Sequence, residues 1–157
     1  MTPQPVKREI AFTIMDVARL LKTYADQRAR QLGISRAQWA VLVRLERTEG
    51  LKQSELAELL DLQPISLTRL LDRLADNGLI ERRADPNDRR ANRLYLTPAA
   101  KPLLGRLLEL GADLMDTVLV GLDEKSIERM LKQLVLLKDN LRGAIGANAQ
   151  PQTAANG

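Results

Sequence analysis

Asp85-Pro86-Asn87-Asp88-Arg89-Arg90-Ala91-Asn92-Arg93-Leu94-Tyr95-Leu96-Thr97 decides how this chain is read. Pro86 and Asn87 favour a turn, and residues 79–83 and 93–97 flank it as apolar-polar runs that can pleat as strands. The stretch predicts a β-hairpin with arginines at its tip. Arg82, Arg83, Arg89, Arg90 and Arg93 all fall within residues 81–93, and Glu81, Asp85 and Asp88 lower the net charge of that run to +2. The acids are expected to orient guanidinium groups rather than cancel them, with Asp88 holding Arg90 or Arg73. Arginine suits a narrow minor groove of DNA, where the potential is most negative.

Immediately upstream, residues 53–60 predict a short helix with Leu56, Ala57 and Leu60 inward. Asp61-Leu62-Gln63 supplies a turn. Pro64 suits the first position of a second helix, where its missing amide costs nothing, and Gly78 suits a left-handed stop after about Asn77. Leu67, Leu70, Leu71 and Leu74 form the inward face of that helix; Ser66, Thr68, Arg69, Asp72 and Arg73 face out. Two short helices at this spacing predict a helix-turn-helix, whose second helix enters the major groove with its N-terminal residues at base edges. Gln63, Pro64, Ser66, Thr68, Arg69 and Arg73 are therefore the candidate readers. Gln can read adenine and Arg can read guanine at two acceptors. Taken alone, the same residues are also an ordinary solvent-facing helix surface. The arginine hairpin beside them favours DNA.

Working outward, residues 1–6 read as a loose arm. From about Lys7 to Leu32, Ile10, Ile14, Val17, Leu21 and Tyr24 make a helical stripe, while Phe12, Met15 and Leu20 lie off it. A helix apolar on more than one side predicts contacts beyond its own subunit. Ser35-Arg36-Ala37-Gln38 is a capping box opening a helix to about Glu46, with Trp39, Leu42 and Val43 as its buried face. After the hairpin, Thr97-Pro98 opens a helix to about Val120, which Pro102 should bend or delay. Asp123 caps a last helix to about Gly143, and residues 146–157, with nothing to bury, are expected to be disordered.

Composition narrows the chemistry. The 157 residues carry a formal charge of +4 and contain neither cysteine nor histidine. Thiol chemistry, disulfides, Cys/His zinc sites and a histidine base are excluded, and no Gly-rich phosphate loop or spaced acid cluster suggests an enzyme or a cofactor. No apolar run approaches the roughly 20 residues that span a bilayer, and Met1 to Glu9, with two prolines and no apolar core, are not expected to act as a secretion signal. A cytoplasmic, nucleoid-associated protein is expected. The competing reading from another class is a helical protein-interaction adaptor, whose basic tip meets an acidic protein surface.

The run from Asp88 to Thr97 resembles the wing signature of the MarR family of bacterial winged-helix regulators, Asp-x-Arg-small followed by Leu-x-Leu-Thr. Gln53-Ser54-Glu55-Leu56-Ala57, the run from Gln63 to Leu74, and Asn77-Gly78-Leu79-Ile80 are similar to the family's helix-turn-helix. Gln63-Pro64-Ile65-Ser66-Leu67, Asp88-Arg89-Arg90-Ala91 and Pro102-Leu103 are nearest to its SlyA-like branch. The resemblance spans about residues 7–143.

It implies a mainly α fold, an α+β winged helix-turn-helix. Its parts would be a dimerisation helix (7–34), a DNA-binding lobe (35–97), C-terminal dimerisation helices (98–145) and a tail (146–157). It implies a homodimer on a roughly palindromic operator in double-stranded DNA, acting as repressor or countersilencer. Arg69 matches the base-reading position. Arg89 is the expected minor-groove arginine, with Arg90 as the alternative and Arg82 and Asp88 as further wing residues. Lys52, Gln53 and Ser54 are candidate phosphate contacts. Lys52 departs from the Thr or Ser common at its position and should cap poorly. The resemblance also suggests a phenolic or aromatic carboxylate effector near Arg19, Tyr24 and Trp39, with core packing as the plainer role for Trp39.

Overall fold

Leucines at 42, 45, 56, 67, 71, 74 and 94 are almost completely buried and build one core. Burying each contributes roughly 1.5–3 kcal/mol. A computed structural model describes residues 1–149. The elements that carry these leucines are α2 (Arg36–Arg47), α3 (Gln53–Leu59), α4 (Pro64–Asp76) and a three-stranded antiparallel sheet. Its strands are β1 (Leu51–Lys52), β2 (Ile80–Asp85) and β3 (Asp88–Leu96), in the order β1-β3-β2. The remaining helices are α1 (Gln4–Arg30), α5 (Lys101–Val118) and α6 (Glu124–Ala149). The chain divides into two compact units, Met1–Met115 and the residues from Asp116 onward.

Local chemistry sets most element ends. Ser35 and Gln38 close the expected capping box: Ser35 Oγ accepts from the Gln38 amide at 3.1 Å, and Gln38 Oε1 accepts from the Ser35 amide at 3.0 Å. Gly78 has φ +72°, and the Leu79 amide donates to the Leu74 carbonyl at 2.9 Å, closing the end of α4. The turn between α3 and α4 achieves a similar geometry without glycine. Asp61 has φ 51°, and the Leu62 amide reaches the Ala57 carbonyl at 2.9 Å.

Several expectations need correction. Helix α1 starts at Gln4, not after a loose arm, because Pro5 falls in its first turn, where proline is tolerated. Its stripe is exposed over most of its length, and Ala29 is its one buried residue. Trp39 and Val43 are half-buried; Val41, Leu42 and Leu45 form the buried face of α2. The strands are longer than predicted, so the hairpin turns on Pro86 and Asn87 alone and its tip arginines, Arg89 and Arg90, ride on β3. Strand β1 went unforeseen. A 3₁₀ turn at Pro98–Ala100 precedes α5, so Pro102 delays the regular helix and sits in its first turn.

In the second unit, Asp123 Oδ1 accepts from the Ser126 amide at 2.9 Å, as an N-cap should. The Ser126 side chain, and after it this amide, hold the Asp123 carboxyl below its ordinary pKa. Helix α6 runs past the expected stop at Gly143 to Ala149, into the stretch expected to be disordered. Gly143 does not adopt positive φ, and the surrounding Leu, Arg and Ala favour continued helix. Residues 150–157 lie outside the described residues.

Candidate nucleic-acid interface

Helix α4 buries Leu67, Leu71 and Leu74 and half-buries Leu70, leaving Gln63, Pro64, Ser66, Arg69 and Arg73 exposed. Five of the six expected readers are thus at the surface. Thr68 is the exception. Its hydroxyl donates to the Pro64 carbonyl at 2.9 Å and accepts from Gln53 Nε2 at 2.7 Å. It is half-buried and ties α3 to α4.

The start of α3 brings Lys52, Gln53 and Ser54 beside the start of α4 and the wing. Lys52 has no acceptor with which to cap, since an ammonium carries no lone pair. Only the return half of a capping box forms, with the Lys52 amide donating to Glu55 Oε2 at 2.8 Å. A groove of about 410 Å³ is lined by Lys52, Gln53, Ser54, Pro64, Arg90 and Asn92, among others. Three separately predicted groups, the phosphate contacts, the recognition-helix start and the wing, therefore converge on one basic concavity.

The wing arginines have distinct environments. Asn92 pairs with Ala84 while Asp88 pairs with Asp85, so Arg89, Arg90 and Ala91 are extra residues in β3 with no partners on β2. Such a bulge re-aims side chains away from the regular pleat. Arg89 and Arg90 are exposed on it. Arg82 is half-buried and points back to α4, donating to Asp72 Oδ1 at 2.6 Å and to the Thr68 carbonyl at 3.5 Å. It braces the hairpin against the recognition helix and is not a free wing cation. Arg83 lies over the Tyr95 ring, 4.0 Å from its centroid, and its Nε donates to Glu81 at 2.8 Å. The Glu81 bond raises the Arg83 pKa.

Asp88 does not hold Arg90 or Arg73 through a guanidinium. Its Oδ1 accepts from the Arg90 backbone amide at 3.0 Å, which shapes the start of the bulge. The orienting role falls to Asp85, the only buried charged residue among those described. Its Oδ1 accepts from the Asn87 amide at 2.9 Å; its Oδ2 lies 3.2 Å from Arg93 Nε and 3.6 Å from Lys52 Nζ. The Asn87 amide, then Arg93 and Lys52, hold its pKa below the ordinary carboxylate value against the opposing effect of burial. Arg93 Nη1 also donates to the Gly50 carbonyl at 2.8 Å, joining the wing to β1.

A second concavity, about 360 Å³, lies beside α2 and is lined by Leu21, Trp39, Arg36, Arg44, Arg47, Leu114 and neighbours. Trp39 lines this cavity and also packs against the core. Arg19 and Tyr24 do not line this cavity. Arg19 is exposed and pairs with Asp16 at 3.5 Å, and the Tyr24 hydroxyl accepts from Arg28 Nη1 at 3.2 Å. Arg36, Arg44 and Arg47 were missed, although their spacing with Ala40 and Val43 along α2 is a helical stripe visible in the sequence.

Among the described residues no group of three or more acidic side chains could hold a metal ion, and no helix is long and apolar enough to cross a membrane.

The hairpin packed on a helix-turn-helix defines a winged-helix protein. The MarR family model matches residues 34–91. The crystal structure of transcriptional regulator PA3341 is 32% identical, with 85% of this chain and 98% of that one covered at a TM-score of 0.76. The transcriptional regulator SlyA is 26% identical over 84% of this chain and 93% of its own, with a TM-score of 0.71. The S. aureus MepR–DNA complex is 24% identical, covering 83% of this chain and 96% of that chain at a TM-score of 0.68. The chain belongs to the MarR family of transcriptional regulators.

Proposed function

We propose that the protein is a sequence-specific repressor or countersilencer that binds a roughly palindromic operator as a homodimer. The convergence of Lys52, Ser54, Pro64 and Arg90 on one groove carries this reading, because phosphate contacts there would fix the register of α4. Arg69, exposed at the middle of α4, is the reader of a guanine, with Gln63, Ser66 and Arg73 around it. Arg90 lines the groove and is assigned to phosphate. Arg89, exposed on the same bulge but absent from the groove lining, is assigned to the minor groove. The MepR structure, of a fold-sharing protein bound to DNA, is consistent with this use of the scaffold.

The cavity beside Trp39 supports a small aromatic carboxylate or phenolic effector. Arg36, Arg44 and Arg47 would meet its anionic group, and Trp39 with Leu21 and Leu114 its ring. Such a ligand changes DNA affinity only by its differential affinity for two conformations. Regulated transcription places the protein in the cytoplasm with the nucleoid.

Selection of bound duplexes from a random pool, with and without an aromatic carboxylate such as salicylate, tests the reading. Enrichment of an inverted repeat is expected. Arg69→Ala should cost roughly 1–3 kcal/mol and relax one base-pair preference; Arg89→Ala should weaken A·T-flanked sites alike. Affinity should fall steeply with salt. Salt-independent binding, or normal binding by both variants, would defeat the assignment.

A further inference from the structure

The exposed face of α4 carries one large apolar side chain, Ile65, with 64% of its surface open to solvent. The leucines of the helix turn inward, and Thr68 is held at the α3 contact by Gln53 and the Pro64 carbonyl. Ile65 stands one turn before Arg69. Residues four apart on a helix lie within about 40° of each other, so the two side chains share the outermost stripe. An isolated exposed isoleucine is unremarkable on a general surface. Here it occupies the first turn of the helix, where a helix-turn-helix touches base edges. The only base edge in the major groove with an apolar group is that of thymine, through its C5-methyl.

We propose that Ile65 is a specificity-determining residue that packs on the C5-methyl of a thymine close to the base pair read by Arg69. The inference rests on the DNA-binding reading and adds a second, apolar letter to it. Asp72, on the same side of the helix, is withdrawn by Arg82 and does not compete for that position. The contact excludes water from one methyl group. At about 0.8 kcal/mol per buried carbon, its loss corresponds to about a fourfold change in affinity.

The test replaces each thymine of the selected operator, one at a time, by uracil, which lacks only that methyl. Wild-type protein should bind about fourfold more weakly at one symmetric pair of positions. Ile65→Ala, which loses the contact in both half-sites of the dimer, should bind the parent operator about 15-fold more weakly and become indifferent to uracil there, while its response at other positions stays unchanged. Ile65→Val should retain most of the sensitivity. Because the side chain is exposed, all three proteins should unfold at the same temperature. Equal wild-type binding to every uracil operator would overturn the contact, as would an Ile65→Ala protein that keeps the same uracil response. Failure to enrich any sequence from the pool would instead overturn DNA reading itself.

Discussion

Asp85 organises the wing from inside it. The carboxylate is buried at the tip end of the hairpin, faces two cations and accepts the Asn87 amide. Its folded pKa is depressed, so it stabilises the fold above the unfolded aspartate value of about 3.9 and loses that contribution as pH falls through the lower folded value. The clamp is therefore fully formed across neutral pH and fails only in acid. Asp85→Asn should leave the leucine core folded and speed hydrogen exchange of the β2 and β3 amides at pH 7. It should also remove the added acid sensitivity that those amides show in wild-type protein below about pH 4. Identical protection in both proteins from neutral to acid pH would dismiss Asp85 as the clamp. The sequence led to Asp88 instead, because Asp88 adjoins the arginines in the chain. Asp85 gains its partners through strand register: Lys52 is distant in sequence and arrives through the pairing of Lys52 with Arg93. Strand pairing likewise hid the commitment of Arg83 to Tyr95, and packing of the hairpin on α4 hid that of Arg82 to Asp72.

At the scale of elements, what was legible was what is decided within a few residues. Ser35 with Gln38 and Asp123 mark helix starts by bonds to their own neighbours, Pro64 by its missing amide and Gly78 by its positive φ, and all four were readable. Strand β1 was not, since two residues carry no periodicity and are a strand only by pairing with Leu94 and Arg93. Gly50, which precedes it, has φ +76°, and a Cβ there would meet the Tyr95 hydroxyl at 3.1 Å. That close approach also depends on the fold. The helix-turn-helix turn offers a local test. Asp61 adopts the left-handed conformation, which short polar side chains tolerate and β-branched ones do not. Asp61→Val should lower stability by about 1–2 kcal/mol in urea unfolding, whereas Asp61→Gly should not. A Val variant as stable as wild type would show that the turn readily takes another conformation.

For the molecule as a whole, the unanswered physical problem is apolar surface. Helix α6 buries no residue, and Leu131, Leu134, Leu136, Leu137, Leu141 and Ile145 are exposed along it. Helix α1 exposes Val6, Ile10, Phe12, Ile14, Met15, Val17 and Leu20. Apolar surface on this scale favours a partner, and a second copy is the partner that family resemblance implies. Pairing would also double the formal net charge, from +4 per chain to +8 per dimer. The wild-type chain should therefore sediment at twice 17.5 kDa at micromolar concentration. Its unfolding midpoint should rise with protein concentration, because association stabilises only the folded state. Combining Ile14→Glu with Leu137→Glu should yield monomers, abolish that concentration dependence and weaken binding to a two-half-site operator far more than to a single half-site. The last comparison separates loss of pairing from loss of the DNA-reading lobe, since a damaged lobe would weaken both duplexes alike. A wild-type protein that stays monomeric at high micromolar concentration would remove the dimer, and with it the palindrome, from the account.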